Sequence, residues 1–169
     1  MFQKSTFFMR VIVVLLGLVI LIPCILFLPY VVEILKSALE EMSAQEGALF
    51  AGMYFLVYVS IYFALIPFLM AIYQTLKLLG YIDMKETFSE KTVKALKIIK
   101  NCAIAILSIY IVGVMPIICY FTIYSGVPNG IILWAAFALI PMAIAVFASM
   151  LMNLIKEAID IKSENDLTI

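Results

Sequence analysis

The chain has 169 residues, 66% hydrophobic and 13% charged, with a mean hydropathy of +1.19. Soluble domains are about 45–50% apolar and about 25% charged, so only loops and a tail are left for water. Lys+Arg and Asp+Glu are both 11, which singles out no partner by net charge, and the lack of histidine removes the usual haem ligands, most zinc sites and most imidazole chemistry.

Val11 to Val32, Gly47 to Leu76 and Asn101 to Ile155 carry no charged side chain. One crossing of the hydrocarbon takes about 20 apolar residues, so the first two stretches hold one crossing each and the third holds two. The predicted spans are about 8–29, 48–73, 102–124 and 130–154. Lipid offers no hydrogen-bond partner, so each span is a helix. The short alternating segments of a barrel are missing. The expected fold class is all-α, a single polytopic domain over 1–169 with four transmembrane helices.

Lys4 and Arg10 precede the first apolar run, as in a signal peptide. That run exceeds a 7–15-residue signal core and no small-x-small cleavage pattern follows, which predicts a retained first span. A loop over about 30–47 follows, with Glu33, Glu40, Glu41, Glu46 and the one outlying base, Lys36. Val31, Leu35, Ala38 and Met42 have the spacing of one face of a short helix. An acidic amphipathic element there would suit cationic peptides.

In span two, Tyr54, Tyr58 and Tyr62 follow i, i+4, i+8 and share a face. They form either an aromatic face for an amphipathic or cationic ligand, or interfacial belt and packed core. Tyr110, Tyr120 and Tyr124 sit in span three. Ala44, Ala48 and Gly52, with Ala145 and Ser149, offer small faces for close helix contact and for a homo-oligomer.

The segment 77–100 is the longest predicted aqueous stretch on the side of the termini. Ser89 can cap a helix whose first turn holds Glu90, and Phe88 can staple onto Val93; Thr87-x-x-Glu90 is a competing capping box. Lys91, Lys94, Lys97 and Lys100 recur every third residue beside Val93, Leu96 and Ile99. Anionic lipid would hold such a strip at about 1 kcal/mol per basic residue. An acidic cytosolic partner would dock on the same strip, with Lys91, Lys94 and Lys97 as its contacts.

Ser125 to Gly130 reads as a tight Gly/Pro/Asn turn. Pro23, Pro67, Pro116 and Pro141 place one kink-prone site in each span. Ala64-Leu65-Ile66-Pro67 recurs as Ala138-Leu139-Ile140-Pro141, which suggests a 2+2 tandem hairpin repeat. The tail 156–169 extends span four, is acidic, and lies on the side of the basic strip. Every basic residue but Lys36 falls on the side of the termini, so the positive-inside rule makes both ends cytoplasmic.

Apart from Arg10 at the edge of the first, no span holds Asp, Glu, Lys or Arg, so ion-coupled exchange lacks its usual intramembrane group. Cys24, Cys102 and Cys119 form no Cys-x-x-Cys pair. No catalytic residue, cofactor, metal or direct nucleic-acid contact is expected, and the chain reads as a non-enzyme.

Two stretches together resemble a known family. Phe88-Ser89-Glu90 leading into a Lys-rich helix that ends Leu96-Lys97-Ile98-Ile99-Lys100, and the terminal Glu164-Asn165-Asp166-Leu167-Thr168-Ile169, are similar to bacterial domain-of-unknown-function family 2975, small four-span membrane proteins. The resemblance implies a bacterial cytoplasmic-membrane protein and, as a partner, a cytosolic helix-turn-helix regulator. It supplies no catalytic residues. The expected role is sensing, regulation or immunity. The alternatives are a small carrier of amphipathic solutes and an assembly subunit of a membrane complex.

Overall fold

The computed structural model describes residues 2–41, 44–84, 86–125 and 129–167, and it is all-helical. The elements are α1 (Phe2–Glu41), α2 (Ala44–Asp83), α3 (Glu90–Ile109), a π turn (Tyr110–Val114), α4 (Met115–Ser125) and α5 (Asn129–Leu167). Four stretches are long and apolar enough to cross a membrane: Thr6–Leu26, Ala51–Asp83, Glu90–Tyr120 and Ala135–Glu164. An even number of crossings puts both chain ends on one side.

The helices outrun the apolar stretches. The acidic segment after Tyr30 continues α1 to Glu41, and α2 begins at Ala44. Glu33, Lys36 and Glu40 are exposed on this extension, while Met42 lies outside the described residues. Glu, Lys, Leu and Ala are good helix formers, so charge alone does not stop the helix. Similarly, α2 runs past Lys77 to Asp83, and only residues 84–89 separate it from α3. Of the turn Ser125 to Gly130, residues 126–128 lie outside the described residues.

Of the two caps that the sequence offers for α3, the structure builds the one at Ser89. Ser89 is the N-cap, with φ −139° and ψ 155°, and its hydroxyl accepts the Thr92 N–H at 3.4 Å. Thr92 is 1% exposed, and its own hydroxyl donates to the Glu86 carbonyl at 3.2 Å. The two hydroxyls thus tie helix and linker together. Phe88 stays exposed.

α3 is the central helix. It packs against α2 on one side and α5 on the other, while α1 packs on α2. Its buried residues are Thr92, Ala95, Leu96, Ile99, Cys102 and Ala103, all in the half of the third crossing, Glu90–Tyr120, nearest the chain ends. Leu79 and Gln74 of α2 and Ala148 of α5 are also buried. Farther along, Ile111 and Val112 are exposed. Among the described residues, the buried positions therefore gather toward the end that carries both termini.

Hydroxyls within the spans turn back on their own helices. Ser60 donates to Leu56, Thr75 to Ala71, Ser108 to Ile104 and Thr122 to Ile118, at 2.7–2.9 Å. This i−4 bonding satisfies a hydroxyl where lipid cannot. α2 and α5 remain helical through Pro67 and Pro141.

Removing the cap should be measurable. Ser89→Ala is expected to lower unfolding free energy in detergent by about 1 kcal/mol. Thr92→Val, which strands the Glu86 carbonyl, is expected to lower it by about 1–2 kcal/mol. Thr87→Ala, outside the observed cap, is expected to stay within about 0.5 kcal/mol. Thermal unfolding followed by circular dichroism checks all three.

Candidate functional site

Three places in the helix array bring polar or ligand-accessible groups together. The first lies at the end with the termini. Arg10 of α1 donates from Nη2 to Asp83 Oδ2 at the end of α2, at 2.5 Å. Arg10 Nε is buried without a partner. This pair pins the N-terminal part of α1 to the C-terminal end of α2. Beside it, Lys91, Lys94 and Lys97 are all exposed, whereas Thr92, Ala95, Leu96 and Ile99 of the same helix are buried. Lys91 Nζ bonds Glu86 Oε2 at 3.1 Å across the linker. The candidate lysines thus form an outward strip on a helix whose other faces are held.

The α5 extension runs beside the first turns of α3. Glu90, Val93, Lys94, Lys156, Ile159 and Asp160 line a cleft of about 270 Å³ there. The tail is therefore adjacent to the basic strip. Neither the Arg10–Asp83 nor the Lys91–Glu86 ion pair involves this cleft.

The second place is a groove of about 480 Å³ between α2 and the third crossing, lined by residues including Ser60, Phe63, Ser108, Val112, Gly113 and Pro116. Here α2 meets the π turn very closely: a Cβ on Gly113 would overlap the Ser60 hydroxyl and stand 2.8 Å from the Ser60 Cβ. The π turn also frees a backbone acceptor. Met115 N–H bonds the Tyr110 carbonyl. Pro116 has no N–H, so the Ile111 carbonyl loses its i+4 and i+5 donors together. Pro116 withdraws the i+4 donor of Val112 as well.

The third place is the tyrosine face of α2. The Tyr58 and Tyr62 rings lie 4.7 Å apart, tilted by 44°. Tyr62 donates its hydroxyl to the Cys24 carbonyl of α1 at 3.0 Å. These rings therefore stand on the α1 side of α2, and the α2–α3 groove is lined by other α2 positions. Tyr54 is half-buried on the same helix.

Sequence reasoning missed the Arg10–Asp83 pair, which joins residues 73 apart, and the Gly113–Ser60 approach. A glycine three residues before a span proline was the available signal for the second; the first had none. Among the described residues no cluster of His, Cys, Asp and Glu could hold a metal, and the three cysteines are free.

Four long apolar helices with short connections and small polar ends define a polytopic membrane protein of the all-helical class. The chain belongs to the family described as Protein of unknown function (DUF2975), which matches residues 38–169. It is 41% identical over 167 residues to the uncharacterized membrane protein YoaS of Bacillus subtilis (strain 168), covering 99% of both chains. No solved structure matches.

The two close contacts are open to test. Gly113→Ala is expected to lower stability by about 1–3 kcal/mol through overpacking, although Gly→Ala in a helix ordinarily gains up to about 1 kcal/mol. Adding Ser60→Gly is expected to restore part of the loss, which denaturant titration in micelles would show. A double-mutant cycle of Arg10→Ala and Asp83→Ala is expected to give a coupling of about 1 kcal/mol at low salt, shrinking as salt rises.

Proposed function

We propose that this protein is a non-enzymatic regulator in the bacterial cytoplasmic membrane, with both termini in the cytoplasm, that holds a cytosolic helix-turn-helix regulator at its inner face. The observation that carries the reading is the strip Lys91, Lys94 and Lys97, exposed on a helix fixed on its other faces by α2 and α5. A strip on such a helix is preorganised, so little ordering cost falls on binding. Its charge suits an acidic surface. The positive-inside distribution supports the orientation, and the recurring Ala-Leu-Ile-Pro words support two tandem hairpins. Sensing would reach the strip through α3, which continues through the π turn into α4.

A second reading rests on the groove between α2 and the third crossing. A small carrier without an intramembrane charge would pass an amphipathic solute along it, with the Tyr54, Tyr58 and Tyr62 face as a further aromatic surface.

Co-purification of the full chain with its regulator from detergent tests the first reading. The triple variant Lys91→Gln, Lys94→Gln, Lys97→Gln is expected to lose most of the captured regulator while keeping its helical spectrum. Equal capture by the variant would overturn the reading. Flux of an amphipathic dye into proteoliposomes, sensitive to Gly113→Ala, would favour the carrier instead.

A further inference from the structure

We propose that the cleft between the first turns of α3 and the α5 extension binds the head group of one zwitterionic aminophospholipid. Its charged lining is Lys94 and Lys156 with Glu90 and Asp160, and its apolar walls are Val93 and Ile159. The four charges sum to zero, and among the described residues none of the four is in an ion pair. Two cations and two anions that line one cleft without pairing with each other are complementary to a ligand that itself carries both signs.

The cleft lies at head-group depth. Lys156 is the first charge after the uncharged run that begins at Asn101, so it stands where hydrocarbon ends. Lys94 lines the same cleft from the neighbouring helix. The volume, about 270 Å³, falls short of the roughly 300–1,000 Å³ of drug-sized sites. It has room for a head group, with the acyl chains left in the bilayer alongside Val93 and Ile159.

The chemistry selects among phospholipids. Lys94 and Lys156 donate to the phosphodiester oxygens, and Glu90 and Asp160 accept from a primary ammonium with three N–H donors. A choline head has no N–H to give. A glycerol head leaves both carboxylates facing an anion, which is a mismatch built into the site. The basic strip alone would favour anionic lipid; the two acids reverse that preference here.

Native mass spectrometry of the full-length protein, released from micelles equilibrated with phosphatidylethanolamine, phosphatidylcholine or phosphatidylglycerol, tests the proposal. The ethanolamine lipid is expected to be retained about tenfold over the other two, the equivalent of one charge-assisted hydrogen-bond pair. Lys94→Gln with Lys156→Gln is expected to remove that retention. Glu90→Gln with Asp160→Asn, or Asp160→Asn alone should the pair unfold, is expected to shift retention toward phosphatidylglycerol. Lys91→Gln with Lys97→Gln lies outside the cleft and is expected to leave lipid choice unchanged, whatever it does to regulator capture. Equal retention of the three lipids, or an unchanged preference in the acid variants, overturns the proposal. So does displacement by water-soluble glycerophosphoethanolamine as readily as by the lipid, which would make the site one for a free zwitterion.

Discussion

Hydrocarbon accepts and donates no hydrogen bonds, and the structure follows from that constraint. Each crossing must close its backbone bonds on itself, so each is a helix. Each hydroxyl must find an acceptor nearby, and Ser60, Thr75, Ser108 and Thr122 take the carbonyl one turn back. The longer reach of Tyr62 lets it cross to the Cys24 carbonyl instead. That bond turns a local need for a partner into a tie between α1 and α2. Arg10 and Asp83 supply a second tie at the far end of the same helix pair, where full charges are tolerated.

Among the described residues, buried side chains are distributed unevenly along the spans. Between helices in lipid there is no hydrophobic drive, so close contact must come from small residues and good fit. Ala95, Cys102 and Ala103 of α3, and Ala148 of α5, supply it near the chain ends and are among the most buried positions. Gly17 also permits it, since a Cβ there would press to 2.8 Å from Ile72. Toward the other membrane face the third crossing carries exposed Ile111 and Val112, the latter 77% exposed, and a groove opens.

Much of this was legible in the residues. Uncharged runs located four crossings, because the charge of a single side chain is enough to mark a boundary in lipid. Ser89 was legible as a cap, because capping is a local matter of one hydroxyl and one N–H. The helix ends were less so: Glu33, Lys36 and Glu40 look like a loop by polarity, yet they belong to α1 because polarity does not end a helix. The spacing of Tyr54, Tyr58 and Tyr62 gave a shared face but not its neighbour, since facing α1 rather than α3 depends on how α2 is rotated. Arg10–Asp83 and Gly113–Ser60 depend on which helices lie side by side, which periodicity within one helix does not encode.

The π turn at Tyr110–Val114 holds one more residue than an α turn would, and that surplus sets the phase of everything after it. Side chains on α4 are rotated by roughly a third of a revolution relative to where an uninterrupted α3 would have carried them. The two storeys of the third crossing therefore keep separate compass bearings. The lower storey aims its small residues at α2 and α5. The upper one is free to aim elsewhere without disturbing the masonry beneath.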